Sequence, residues 1–455
     1  MMIQSKDLTV GSPSKLLIHL ALPILVGSLI QQAYTLVDTF ILGKYVNTEA
    51  LTAVSCTSWI YWLIIGIFTG FTQGFSILIS QKYGAGDMDE MRKCITMSYL
   101  LAFLLTIIVT LCSLISIHGL LILLHTPNNL IAMAERYLMI ISAGLIITTL
   151  YNLLSSILRA VGDTKTGLIA LIISSIVNII LDIVFVVYFH AGVSGVAAAT
   201  LIAQGFSCII CSISMFKIPD IKLKRSDWHF DFHNFHTLFQ LGAPLALQNT
   251  VISIGGLIMQ RIVNSYGYLF TAAVSLTGKV TVLLQQAGVS FSIALGTYVG
   301  QNLGANKIDR VKKGVVNCLK INIILGVLIS ILFSVFGKQV LAAFLSMDGS
   351  SLDCSSLTMN QEIVSMAYQY LVIQCIFLLA VYLLFTYRAA LLGMGYTFIP
   401  MLSGFVELAI RLVVAVFLPM WLGRTGVFYA DGLAWVGAGL LLMISYYWRM
   451  KRVRT

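Results

Sequence analysis

Long apolar runs, broken only by short polar stretches, fill almost all of this 455-residue chain. A bilayer crossing by helix takes roughly 20 apolar residues. In lipid only helices and closed barrels satisfy their own backbone groups. The runs are unbroken rather than alternating, which selects helices. Breaks at charges, Gly and Pro leave twelve spans, near 16–43, 51–80, 94–117, 134–158, 166–189, 193–216, 237–264, 271–300, 314–336, 363–391, 397–419 and 425–448. Only 10% of residues are charged and 58% are hydrophobic, whereas a soluble domain carries about 25% charged residues. A soluble globular fold is excluded. The first span continues to Gly43 with no small-residue cleavage site, so no removable leader is expected.

An even number of spans puts both termini on one side, and the loop charges name that side. Twenty Lys and Arg residues, from Lys6 to Arg454, fall on the side of the termini, against Lys44, Arg136, Lys338 and Arg424 on the other. The positive-inside rule then predicts cytoplasmic termini in a multi-pass membrane protein. The net charge of +10 reports this topology, so nucleic acid is not an expected partner.

The two halves repeat. LALP at Leu20–Pro23 returns as LGAP at Leu241–Pro244, and QKYGAGDMDEMRK from Gln81 returns as QNLGANKIDRVKK from Gln301. The offset of about 220 residues covers six spans, an even number, so both copies share one orientation. Parallel repeats of this kind form transporters whose substrate site lies between them. The expected fold is therefore an all-α membrane protein, with twelve transmembrane helices in two pseudo-symmetric six-helix lobes. Residues 1–216 and 237–455 make the lobes, and the polar stretch 217–236 links them. That stretch interleaves Trp228, Phe230, Phe232 and Phe235 with charges, as in a segment lying at a membrane interface. His229, His233 and His236 lie within it at helix-compatible spacing, a pattern also open to metal binding. The eight cysteines are scattered and imply no disulfide framework, and the CxxC at Cys208 and Cys211 is buried in an apolar run.

Ionisable groups inside spans are informative because each costs about 2.5–3.5 kcal/mol at a helix centre on insertion scales. Asp38, Asp182, Glu407 and Arg411 are prominent. Gln31, Tyr34 and Asp38 form one polar stripe on the first span, and Asn178 shares a face with Asp182 on the fifth. Both carboxylates sit at similar depth, with Thr200, Tyr137 and Gln204 as candidate neighbours. Such a set suits a proton or a small hard cation such as Na⁺. Glu407 and Arg411, four residues apart, are expected to pair with one another. Pro23 lies within the first span and is expected to kink it. Gly66, Gly70 and Gly74 give GxxxGxxxG, the spacing of closely packed helices.

These stretches together resemble the multidrug and toxic compound extrusion (MATE) family over nearly the whole chain: LALPILVGSLIQQAYTLVDTFILG (20–43), ISQKYGAGD (79–87), ILRAVGDTKT (157–166), VNIILDIVF (177–185), GVSGVAAATLIAQ (192–204), LGAP (241–244) and GFVELAIR (404–411). The resemblance implies two six-helix lobes around a cleft and export of amphipathic, often cationic, organic compounds in exchange for H⁺ or Na⁺. It places the coupling site on Asp38, Asn178, Asp182 and Thr200, with Tyr137 beside them and Pro23 as the bend in the first helix. Some members carry acidic residues in helices seven and eight. This chain has Gln248, Gln260, Gln285 and Gln286 there, which moves ion coupling to the first lobe.

The expected activity is secondary antiport, with no enzymatic step and no cofactor beyond the coupling ion. Substrate contacts are expected from Gln31, Tyr34, Gln204, Met259, Gln285, Glu407 and Arg411, with membrane lipid around the protein and no obligatory protein partner. No metal site is expected beyond Na⁺ at Asp38, Asp182 and Asn178. The alternative is a flippase for lipid-linked precursors, which Arg261, Lys279 and Arg411 would serve by binding phosphates. A membrane enzyme would need a convergent catalytic set, and the seven histidines supply none. No phosphate-binding GxxxxGK(S/T) loop occurs either.

Overall fold

The computed structural model describes residues 6–46, 48–124, 126–347 and 354–452. These residues are helical almost throughout, with no strand among them. The first half contains α1 (Pro13–Tyr45), α2 (Thr48–Gly84), α3 (Met88–Leu123), α4 (Asn128–Ala143), α5 (Leu145–Ala160), α6 (Lys165–Ile183) and α7 (Gly192–Lys217). The second contains α8 (Phe232–Asn264), α9 (Tyr268–Gly304), α10 (Ile308–Met347), α11 (Cys354–Gly393), α12 (Phe398–Phe417), the single turn α13 (Pro419–Leu422) and α14 (Ala430–Arg452).

Twelve crossings follow from this set. α4 and α5 form one span bent by 51°. The apolar stretch Phe398–Arg452 is two spans, because α12 and α14 pack side by side, Gly437 lying against Ile410. The bend falls within the span expected over 134–158, where α7 packs against it. Gly144 sits at the break, where a Cβ would lie 2.3 Å from the Leu201 side chain of α7. The helix yields where another helix presses on its backbone. α8 also begins at Phe232, so the last five residues of the expected linker are helical.

Pro23 and its counterpart Pro244 both lie inside continuous helices, α1 and α8. Each removes one intrahelical hydrogen bond. The segment of each helix before and just after its proline crosses into the other lobe's core. Leu16, Leu17, Leu20 and Ala21 belong to the core built from α9, α10, α11 and α14. Leu238 and Ala246 belong to the core of α2, α3, α5 and α7. Farther along α1, Leu22, Val26, Leu29, Leu36 and Phe40 are exposed. On the other side of the molecule the lobes stay in close contact. Gly66, Gly70 and Gly74 of α2 face Asn249, Ala246 and Gly242 of α8, and Asn249 Nδ2 donates to Gly66 O at 2.9 Å. The expected close packing is therefore found, and its partner helix lies in the other lobe.

The linker is docked rather than free. Arg92 of α3 pairs with Asp227 at 3.3 Å, and Thr96 Oγ1 donates to Asp227 O at 2.8 Å. Asn234 Nδ2 donates to Glu90 at 3.1 Å. Trp228, Phe230 and Phe232 stay exposed, as an interfacial aromatic belt requires. His233 and His236 are in the first turns of α8, and His229 precedes it. Among the described residues no group of three His, Cys, Asp or Glu side chains is arranged to hold a metal.

Candidate functional site

In the first lobe, α1 and α6 bring Asp38 and Asp182 within hydrogen-bonding reach of one another. Asp182 is wholly buried, and Asn178, one turn earlier on the same face, is 3% exposed. Tyr34 of α1 and Tyr137 of α4 lie near Asp38, Tyr137 is also near Asp182, and Tyr61 of α2 lies near both tyrosines. Immediately after Asp182 the α-helix gives way to a π-helical turn, Val184–Tyr188, a distortion found mostly at functional positions.

The hydrogen bonding is incomplete in one place. Asp38 Oδ1, both carboxylate oxygens of Asp182, and Asn178 Oδ1 and Nδ2 are buried without a hydrogen-bond partner. Two facing carboxylates hold no donor between them unless one carries a proton, and no described basic side chain forms an ion pair with either. Each unmet polar group costs about 1–3 kcal/mol, more when charged. Five such atoms cluster at this one spot among the described residues. Carboxylate and amide oxygens are hard donors, so the set fits a proton or a small cation.

Thr200 and Gln204 lie one turn apart on α7, which packs along α6. Thr200 donates its hydroxyl proton to Val196 O at 3.0 Å, leaving its oxygen free to accept. Gln204 accepts from Thr148 at 2.5 Å, in a separate bond to α5. Gln31 is exposed one turn before Tyr34 and bonds to it.

The second lobe holds a different chemistry at matching positions. Tyr370 and Arg411 stand in α11 and α12 where Tyr137 and Asn178 stand in α4 and α6, each about 233 residues on. Arg411 pairs with Asp431 of α14 at 2.8 Å, and Tyr370 donates to the same carboxylate at 3.0 Å. Glu407 pairs with Arg388 of α11, which also donates to Ser403 at 3.1 Å. This corrects the expected Glu407–Arg411 pair. The i, i+4 spacing places both on one face of α12, but stronger partners arrive from α11 and α14. Met259 and Gln285 are half-buried on α8 and α9 of this lobe.

Asp431, Arg388 and Tyr61 do not emerge as site residues from the sequence. Asp431 lies within the span 425–448, and the criterion that selects Asp38, an ionisable group inside a span, selects it too.

With this geometry in view, likeness to known proteins becomes interpretable. The sequence profile of the MatE family matches residues 23–184 and 244–417, one segment in each lobe. The chain belongs to the MATE family of membrane transporters. Family members are transporters rather than enzymes, which agrees with the expectation. A probable multidrug resistance protein of Bacillus subtilis, YoeA, is 27% identical over 336 residues, covering 71% of this chain and 72% of its own length. The multidrug export protein MepA of Staphylococcus aureus is 24% identical, over 95% of this chain and 93% of its own. Among solved structures, a MOP-superfamily transporter from Pyrococcus furiosus, described as having a binding pocket of reversed polarity, superposes with a TM-score of 0.92. It is 20% identical, with 100% of both chains covered. An outward-facing multidrug resistance MATE transporter gives 0.91 at 20% identity, again with 100% of both covered. These likenesses establish the twelve-helix, two-lobe MATE fold for this chain.

Proposed function

We propose that this MATE transporter exports amphipathic organic compounds of cationic character in exchange for H⁺ or Na⁺ bound at Asp38 and Asp182. Asn178, Thr200 and Tyr137 complete the ion site. Residues 1–216 and 237–455 move as two bodies joined by 217–236, with both termini in the cytoplasm of a bacterium and the lobes in its inner membrane. The observation that carries this reading is the group of five buried, unpartnered polar atoms at Asp38, Asn178 and Asp182.

The mechanism follows from where charge is missing. With both carboxylates ionised, the first-lobe site carries two buried like charges and no counter-charge. Binding one proton or one Na⁺ removes much of that repulsion, and the state that best encloses the ion is favoured by the difference in affinity. α1 carries Asp38 beyond Pro23, while its opening turns lie in the second lobe's core. Ion binding therefore acts on a helix that belongs to both bodies. A proline in between allows α1 to change bend without unwinding.

The names of the curated relatives support multidrug substrates, and a negative first-lobe site supports cationic ones. Gln31, Tyr34, Gln204, Met259, Gln285, Glu407 and Arg411 remain the expected substrate contacts, the last two now each held in an ion pair. Of Arg261, Lys279 and Arg411, the basic groups that a flippase for lipid-linked phosphates would use, Arg411 is already matched by Asp431 at 2.8 Å. The test is transport of a fluorescent organic cation in proteoliposomes under an imposed proton gradient and, separately, a sodium gradient. Wild type should move the dye under one gradient and Asp38→Asn should not, which names the ion. Dye transport that is indifferent to both gradients, or intact in Asp38→Asn, overturns the proposal and makes a lipid-linked phosphate the next cargo to assay.

A further inference from the structure

Helices end with carbonyls that have no intrahelical partner, and two such ends are completed here by the opposite lobe. α5 and α11 close in the same way: Val161 N bonds to Ile157 O and Asp163 N to Leu158 O, as Met394 N bonds to Ala390 O and Tyr396 N to Leu391 O. Gly162 and Gly395 each take φ +85° at these turns. In both, the last carbonyl of the helix is left over. Gln301 Nε2 of the second lobe donates to Ala160 O at 2.8 Å, and Gln81 Nε2 of the first lobe donates to Gly393 O at 2.9 Å.

Gln81 and Gln301 are the first residues of the two repeated loop sequences, and the loops that carry them interlock. A Cβ on Gly84 would lie 2.0 Å from Gln301 O, and one on Gly304 would lie 1.9 Å from Gln81 O. Only glycine lets these two backbones approach so closely. The repeat thus has a structural reason, because each copy of the loop grips the other copy and caps a helix of the opposite lobe.

One half of the arrangement is reinforced. Leu8, wholly buried, donates its N–H to Gln301 Oε1 at 3.0 Å, so that amide is used at both ends. Leu8 O accepts from Asn302 Nδ2 and from Arg310, both at 3.1 Å. Lys307 Nζ donates to Thr9 Oγ1 at 2.9 Å, and Lys6 N donates to Val161 O at 3.0 Å. The segment before α1 therefore runs as a strap from the end of α5 to the start of α10, across the line where the lobes meet.

We propose that Gln81 and Gln301 are the paired gating residues of the transport cycle: their cross-lobe caps, with the strap 6–11 over one of them, hold the cleft shut at the face carrying the termini. The inference rests on the export reading above, since a gate implies a cleft that opens to each side in turn. Opening at this face must break both caps, and it exposes Ser80, which is 1% exposed and sits against Gly300.

The experiment uses Ser80→Cys in protein whose native cysteines have been replaced, held in lipid nanodiscs, with the rate of labelling by a membrane-impermeant maleimide as the readout. Gln81→Ala and Gln301→Ala should each raise the rate, Gln301→Ala more because Leu8 loses its acceptor too. Together they should raise it on the order of tenfold to a thousandfold, the weight of three net hydrogen bonds. Gln260→Ala, which removes an exposed bond to Asn264 within α8, serves as the control and should leave the rate unchanged. Labelling as slow in the double variant as in the control overturns the proposal. A second measurement does not depend on those variants: Thr9→Cys with Lys307→Cys, bridged by a short disulfide-forming cross-linker, should stop transport until a reductant is added. Transport that continues through the bridge also overturns it. Labelling reports the gate without any substrate, so a cargo that is never carried counts against the export reading and leaves the gate result standing.

Discussion

The seam between α2 and α8 allows a prediction in which chemistry is constant and only geometry varies. Adding one methyl group at Gly70 places a Cβ 2.3 Å from Ala246 N, 2.5 Å from Ala246 Cα and 2.6 Å from Leu245 C, all backbone atoms that no rotamer change can move. Ordinary contact begins near 3.4 Å, so Gly70→Ala forces the helices apart by roughly 1 Å in an interior packed like a crystal. Overpacking of this kind costs about 1–3 kcal/mol. The same methyl at Gly66 meets Asn249 Cβ at 3.2 Å and Asn249 C at 3.9 Å, and at Gly205 on α7 it meets nothing within 4 Å. All three gain the intrinsic helix preference of Ala over Gly, about 1 kcal/mol. Gly205→Ala is therefore the reference, Gly66→Ala should fall within about 1 kcal/mol of it, and Gly70→Ala should lie about 1–3 kcal/mol below it. Thermal unfolding of the three variants in one detergent measures the order. Gly70→Ala as stable as Gly205→Ala would mean that the lobes do not meet at this seam as described, and the reasoning would fail.

Three further outcomes follow from the ion pairs. Arg388→Ala leaves Glu407, 4% exposed, without its counter-charge, and should destabilise the protein by about 3–5 kcal/mol, whereas Arg388→Met combined with Glu407→Leu should recover most of the loss in thermal unfolding. Arg92→Met removes the buried partner of Asp227 and should free the linker, seen as faster trypsin cleavage at Lys222, Lys224 and Arg225 than in wild type. Asp431→Asn and Asp38→Asn should separate by readout: the first lowers the unfolding temperature because Arg411 is left buried and unpaired, with gradient dependence retained, and the second abolishes gradient-driven transport with little loss of stability. A loss of coupling in Asp431→Asn with unchanged stability would refute the division of labour between the lobes.

How much of this is legible in the sequence depends on whether the cause is local. Span number and the internal repeat are legible, because lipid demands long apolar helices and because the same turn recurs with Gly86 and Asn306 both at positive φ. Close packing at Gly66, Gly70 and Gly74 is legible from spacing, although nothing in α2 says that α8 of the other lobe is the partner. The break at Gly144 is not, since it depends on Leu201 arriving from α7. The partner of Glu407 is misread from spacing for a related reason. Helical spacing offers Arg411, but pairing is settled in three dimensions, and Arg388 reaches Glu407 from α11 while Asp431 takes Arg411 from α14. The two glutamines of the repeated loop are visible as a repeat. Their acceptors, the last carbonyls of α5 and α11, lie on helices that no pattern links to them.

The two lobes began from one plan and now treat charge differently, and this bears on how a one-sided ion site can drive a two-sided gate. Where the first lobe has Asn178 beside a bare carboxylate pair, the second has the Arg411 guanidinium, a cation built into the chain and held against Asp431 at 2.8 Å. A site that already contains its cation gains little from another, whereas on the proposed reading the Asp38 and Asp182 site gains whatever the ion relieves. The driving force is therefore expected in the first lobe alone. α1 is the element placed to carry it across: Asp38 lies on its later turns, Pro23 midway, and Leu16, Leu17, Leu20 and Ala21 in the second lobe's core. Just before α1, Leu8 holds Gln301. A change of bend at Pro23 would thus pull on the strap and on one cap directly. The cap at Gln81, which no strap covers, would then be left to hold the face alone.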